Sequence, residues 1–172
     1  MRLTGPRMLV AVAVTLSALV LQVTVLSRLG LPGATPDLLL VVVLVLGMAA
    51  GPTTGTIVGF GSGVLVDLAP PATGSIGQTA AVYALAGFLA GHMTAESGRP
   101  DLRSVLAVSG LAGGVCLALV VLGWMLGSMN VTWWAVPALV VTQMLYAGLL
   151  SLVVLPIVGL LYRGAAEEGV TA

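Results

Sequence analysis

The chain carries few side chains that could perform nucleophilic, acid–base or metal chemistry. Its 172 residues include one histidine, His92, and one cysteine, Cys116. His92 stands at the end of an apolar run beside a polar segment at residues 94–97, and Cys116 lies inside another apolar run, where a packing role is expected. A catalytic set needs a nucleophile beside a base, or two carboxylates facing each other in a cleft, and the sequence presents neither. We therefore expect no enzymatic activity, no metal site and no cofactor.

Two aspartates stand at the ends of apolar runs, where they would meet helix termini. Asp37 follows Pro36 and opens a run, and a carboxylate at that position caps the N-terminus of a helix. Asp67 comes near the end of a run, just before the break at residues 69–71, where the helix dipole disfavours negative charge. We therefore expect Asp67 to have a specific partner, either Arg28 or a group on another protein.

The elements that would position these residues are set by an unusually apolar composition. Hydrophobic residues make up 59% of the chain and charged residues 7%, against roughly a quarter charged in an ordinary soluble domain. Net charge is zero, and the basic residues are six scattered arginines with no lysine. Such a chain has no basic surface for nucleic acid and no polybasic cluster for lipid headgroups. It is expected to be an integral membrane protein whose surroundings are the lipid bilayer.

Apolar runs bounded by glycine, proline and charge predict six membrane-spanning helices in a single domain covering residues 1–172. Joining the second and third spans into one broken helix would leave five. With six spans, five of the six arginines fall on one side of the membrane, as the cytoplasmic excess of arginine requires. We therefore expect an all-α bundle with both termini in the cytoplasm. The predicted spans cover residues 8–29, 37–50, 53–68, 78–92, 102–126 and 133–163.

Glycine recurs every four residues from Gly47 to Gly63, so that Gly55, Gly59 and Gly63 form one smooth stripe along the predicted third helix. Gly87 and Gly91 repeat this spacing in the fourth helix. A small-residue stripe lets the backbone of a neighbouring helix approach closely. Two interpretations remain open: the stripe packs against another helix of this chain, or it packs against another membrane protein.

The stretch from Gly59 to Gly91, GFGSGVLVDLAPPATGSIGQTAAVYALAGFLAG, resembles the central part of the bacterial rod shape-determining MreD family. A glycine-rich helix ends in Asp67 and Leu68, and a short loop leads into a second glycine-containing helix. The residues that carry this part of the resemblance are Asp67, Gly74, Gly77, Tyr83, Gly87 and Gly91.

The beginning of the chain resembles the same family. Gln22 lies in the first predicted span, and Pro36 and Asp37 open the second. Gln22 is also one of four polar residues, with Gln78, Thr142 and Gln143, that could form hydrogen bonds between helices. The resemblance therefore covers most of the chain.

The resemblance implies a non-catalytic scaffold of the cell-wall elongation complex in the bacterial plasma membrane. Its expected partners are MreC, the synthase formed by RodA and a class B penicillin-binding protein, and the MreB filament. Because the loops and tails are short, contact with MreB is expected to be indirect. The family is also similar in architecture to the S components of energy-coupling-factor transporters. An alternative function is therefore a small solute-binding transporter subunit, although polar groups that would recognise a solute are scarce in the predicted spans.

Overall fold

The computed structural model describes residues 5–24, 35–68, 77–93, 101–127 and 132–167, with side chains throughout except those of residues 5–7 and 162–167. This part of the chain consists of six α-helices and contains no strand. The helices are α1 Gly5–Thr24, α2 Leu38–Ala50, α3 Pro52–Leu68, α4 Gln78–His92, α5 Leu102–Met125 and α6 Val136–Glu167. The bounds of α2, α3, α4 and α5 agree with the predicted spans to within one residue.

The two remaining helices are displaced from the predicted bounds. Helix α1 begins at Gly5 instead of Met8, and predicted residues 25–29 lie outside the described part. Helix α6 begins at Val136, because residues 133–135 form a turn in which the Val136 N–H donates to the Trp133 carbonyl. Pro137 then occupies the first turn of α6, where its missing N–H removes no helical hydrogen bond.

Helices α2 and α3 are separate, and a single residue joins them. Gly51 has φ +94°, a left-handed conformation that glycine adopts without strain. Its N–H donates to the Gly47 carbonyl at 2.8 Å, and its own carbonyl accepts from the Gly55 N–H at 3.0 Å. Pro52 follows as the first residue of α3, the position at which proline is best tolerated in a helix. The prediction of two helices in this region, instead of one broken helix, is therefore confirmed.

Helix α2 is the centre of the bundle. It contacts each of the other five helices, which adjoin one another around it in the order α1, α3, α4, α5, α6 and back to α1. Residues 39–48 are all buried, and most of their side chains are completely inaccessible. A helix that is apolar all round is stable only when it is enclosed. At 13 residues, α2 spans about 20 Å, and its neighbours shield it along this length.

The outer surface of the bundle is apolar. Two of the described helices are long and apolar enough to cross a membrane, over Leu102–Met125 and Val136–Leu161, whereas α2 and most of α1 are apolar but shorter. In an 18-residue apolar stretch of Leu102–Met125, only 22% of the residues are buried inside the chain, and in the corresponding stretch of Val136–Leu161 only 28% are. The core helix of a soluble protein would be mostly buried, but here large side chains such as Leu106 and Leu149 are exposed. This surface indicates association with a membrane.

Candidate functional site

The glycine stripe of α3 faces α4. A Cβ added to Gly63 would lie 2.6 Å from the Ala80 nitrogen, and one added to Gly59 would lie 2.8 Å from the Tyr83 carbonyl carbon. Real Cβ atoms essentially never come within 3.0 Å of such atoms. Because positions later in α3 face positions earlier in α4, the two helices are antiparallel. Of the two interpretations of the stripe, packing within this chain is therefore the one observed.

Glycines of α4 complete the same contact, which we call the glycine seam: Gly55, Gly59 and Gly63 of α3 with Gly87 and Gly91 of α4. A Cβ on Gly87 would lie 2.6 Å from the Gly55 carbonyl carbon, and one on Gly91 would lie 2.6 Å from the carbonyl carbon of Gly51. The central helix joins at this end of the seam, because a Cβ on Gly47 would lie 2.7 Å from the Gly87 carbonyl oxygen. Three backbones thus meet without side chains between them.

Asp67 caps helix α4. Its Oδ2 accepts hydrogen bonds from the Gly77 N–H at 2.8 Å and the Ala80 N–H at 3.3 Å. Gly77 is the N-cap residue of α4 in a left-handed conformation, and as glycine it has no side chain with which to cap the helix. A carboxylate at the end of α3 therefore satisfies two of the free N–H groups at the start of α4. Its negative charge is stabilised by the positive end of the α4 dipole.

Asp67 has partners that the sequence did not predict, the backbone N–H groups 10 and 13 residues further along the chain. Contact of Asp67 with Arg28 or with a group on another protein stays a prediction. The sequence did not predict the N–H partners because spacing along the chain does not show that the start of α4 lies beside the end of α3. Arg28 and Gly74 lie outside the described residues.

Asp37 lies at the centre of a second polar cluster, formed with Gln22 and Tyr83. Its Oδ1 accepts from the Leu40 N–H at 3.0 Å, the capping role predicted from the sequence. The Tyr83 hydroxyl of α4 donates to Oδ2. Gln22 of α1 accepts the neighbouring Leu39 N–H on its Oε1 at 2.8 Å. We call these three residues the Asp37 cluster.

Burial explains why the Asp37 cluster exists. The first N–H groups of any α-helix lack partners within the helix, and those of α2 lie inside a ring of other helices, where Pro36 and Leu39 are both buried. Asp37 itself and Gln22 of α1 supply the missing acceptors, and the Tyr83 hydroxyl of α4 donates a second hydrogen bond to the Asp37 carboxylate. Tyr83, which the resemblance alone had singled out, is 1% exposed. The cluster therefore ties α1, α2 and α4 together at one end of the bundle.

A further hydrogen bond links α4 to α5 near the same end. The Gln78 Nε2 donates to the Leu119 carbonyl at 3.0 Å, which confirms the predicted interhelical role of this glutamine. Most of the described site residues thus fall into two groups. The polar side chains of Gln22, Asp37, Asp67 and Tyr83 hold helix ends together, and five glycines form the seam between α3 and α4.

One feature of the site region was not predicted: a half-open groove of about 210 Å³ between α1 and α3. Its walls are formed by residues within 8–16 of α1 and 54–65 of α3, most of them apolar. Two of the lining hydroxyls, those of Thr15 and Ser62, are buried and have no hydrogen-bond partner. The signal in the sequence was weak, since single serine and threonine residues are common in apolar helices and usually bond to the preceding turn.

The other groups considered for chemistry are placed apart from these clusters. The His92 Nδ1 lies 2.9 Å from the Phe88 carbonyl in its own helix, and Cys116 is a free thiol, half-buried in α5. Within the described ranges, no group of three or more histidine, cysteine, aspartate or glutamate residues could hold a metal ion. Comparison of the chain with protein-family models, with curated proteins and with solved structures found no match.

Proposed function

We propose that this chain is a non-catalytic scaffold of a bacterial cell-wall elongation complex, belonging to the MreD family and crossing the plasma membrane six times with both termini in the cytoplasm. The observation that carries the proposal is the convergence of the residues behind the resemblance. Asp67, Gly77, Tyr83 and the α4 glycines are separate in the sequence, yet they build one unit, the antiparallel pair α3–α4 with its capped end.

A scaffold needs a unit that keeps its shape while other proteins bind to its outside. The glycine seam brings two backbones into direct contact, and the Asp37 cluster fixes this pair to α1 and α2. The polar side chains of these clusters are engaged in internal hydrogen bonds, and the outer faces carry exposed apolar residues such as Ile57, Phe60 and Leu85. Such faces are suited to packing against membrane helices of a partner.

The proposed partners are MreC and the synthase formed by RodA and a class B penicillin-binding protein, with the MreB filament contacted indirectly. The test is gentle extraction of a tagged, natively expressed chain, followed by mass spectrometry of the proteins and small molecules that accompany it. Recovery of MreC or RodA above the level obtained with an unrelated tagged membrane protein supports the scaffold. Recovery without either partner, from cells that express both, would contradict it.

The groove between α1 and α3 favours one second candidate, a solute-binding subunit of a membrane transporter. Its volume is enough for a small apolar solute, and Thr15 and Ser62 could bind a polar group. The same mass spectrometry separates the two functions. A vitamin-like molecule present at one copy per chain, together with transporter ATPase subunits, would replace the scaffold by the transporter.

A further inference from the structure

The groove between α1 and α3 contains a glycine that the packing within this chain does not require. The stretches that line it span about 12 Å of α1 and 17 Å of α3. Gly61 lies in its wall and is exposed, and a Cβ added there would meet no atom within 4 Å. Gly59 and Gly63, two residues to either side, are required by the glycine seam. Internal packing therefore explains the glycines that face α4 but not Gly61.

Glycine inside a helix is less stable than alanine, but Gly110 and Gly114 of α5 are equally open, so what distinguishes Gly61 is the pair of unpaired hydroxyls beside it. The two unpaired hydroxyls lie in the same groove. Ser62 is 1% exposed and Thr15 is 7% exposed, and neither oxygen has a hydrogen-bond partner. A buried hydroxyl without a partner is destabilising, because it has lost its bonds to water and gained none in return. Both features are explained if another molecule completes the groove.

We propose that this groove binds a transmembrane helix of a partner protein, one that presents small residues to Gly61 and a hydroxyl or carboxamide side chain to Thr15 and Ser62. This inference rests on the proposed function, in which the chain binds other membrane proteins. A lipid acyl chain would fill the apolar part of the groove but would leave both hydroxyls unpaired. A helix supplies close backbone contact over a small residue and a hydrogen bond in the same place, as helices do in membranes. The groove lining contains no charged residue, so the facing segment is expected to be uncharged.

The test places a photoreactive benzophenone amino acid at Ile57, which lines the groove and is exposed. The full chain is expressed in its native membrane, irradiated, and the cross-linked peptides are sequenced by mass spectrometry. We expect adducts with a transmembrane segment of a membrane protein that contains serine, threonine, asparagine or glutamine. We expect Gly61→Leu to reduce the yield of this adduct at least tenfold. Gly114→Leu is the matched control, since Gly114 is also an exposed helical glycine with open space around it.

Adducts with lipid alone, or an unchanged protein adduct in Gly61→Leu, would overturn the proposal. The identity of the adduct separates it from the proposed function. A cross-linked segment from MreC or RodA supports both the helix-binding groove and the proposed scaffold function. A segment from an unrelated membrane protein supports the helix-binding groove but contradicts a role in the elongation complex. Lipid adducts alone, in cells where MreC still copurifies, contradict helix binding in the groove but remain consistent with the proposed scaffold function.

A second variant tests the hydroxyls directly. Ser62→Ala is expected to lower recovery of the cross-linked partner about threefold, the effect of one hydrogen bond between membrane helices. The thermal unfolding temperature of the isolated chain should stay the same or rise, because the substitution removes an unpaired buried hydroxyl. A lower unfolding temperature in the isolated chain would show that Ser62 serves the internal fold, and it would overturn its assignment to the partner.

Discussion

Gly55 of α3 and Gly87 of α4 are in reciprocal backbone contact. A Cβ on Gly55 would lie 2.8 Å from the Gly87 carbonyl carbon, and a Cβ on Gly87 would lie 2.6 Å from the Gly55 carbonyl carbon. Neither obstacle is a side chain that could rotate away, so a methyl group at either position must push the two helices apart. This crossing is therefore the tightest constraint on how α3 and α4 are packed.

The first prediction concerns that crossing. Gly87→Ala should lower the free energy of unfolding by about 1–3 kcal/mol, the usual effect of overpacking, and Gly59→Leu, which adds a larger side chain against the Tyr83 backbone, should lower it further. Thermal unfolding of the purified chain in detergent measures both. Gly110→Ala is the control, because Gly110 is an exposed helical glycine with no atom near its added Cβ. It should be neutral or up to about 1 kcal/mol more stable. Equal effects at Gly87 and Gly110 would contradict the seam.

The second prediction concerns the cap of α4. Asp67→Ala should reduce stability by about 1 kcal/mol, the usual effect of losing an N-cap acceptor, and it should speed hydrogen exchange at the amides of Gly77 and Ala80. Asp67→Asn, which retains an acceptor oxygen, should lose less. Exchange at those two amides that is the same in wild type and Asp67→Ala would show that the carboxylate acts elsewhere.

The third prediction concerns the contact between Tyr83 and Asp37. Tyr83→Phe removes the hydroxyl donor and should lower the free energy of unfolding by about 1.5–3 kcal/mol, since the acceptor is a carboxylate. Asp37→Ala should lower it more, because the α2 cap is lost as well. In the double variant the losses should fall short of the sum of the single losses, because both single changes remove the same bond. Strict additivity would mean that the two side chains act independently.

The fourth prediction concerns the crossing of the membrane. In a Cys116→Ser background, single cysteines are introduced at Thr4, Ser97 and Ser128. Intact spheroplasts that express each variant are then treated with a membrane-impermeant maleimide. With six spans, Ser128→Cys should be labelled at once, whereas Thr4→Cys and Ser97→Cys should be labelled only after permeabilisation. Five spans would place the cysteines at positions 4 and 97 on opposite sides of the membrane, so labelling of one without the other would exclude the six-span arrangement.

Much of this architecture could be predicted from local pattern. Apolar runs broken by Gly51, by the Pro70–Pro71 pair and by charge delimit the helices, because each break acts on the backbone where it occurs. The cap at Asp37 was predictable for the same reason, as its partner, the Leu40 N–H, lies three residues away. The close approach permitted by Gly55, Gly59 and Gly63 also follows from their spacing alone.

What only the tertiary structure decided are the contacts between residues far apart in the chain. Sequence spacing shows that a face is smooth, but it does not show which helix lies on it, and so the seam could have belonged to another protein. The Asp67 cap, the enclosure of α2 and the unpaired hydroxyls of Thr15 and Ser62 depend in the same way on which helices become neighbours. That choice is made by the packing of the whole bundle, and no single segment of the sequence contains it.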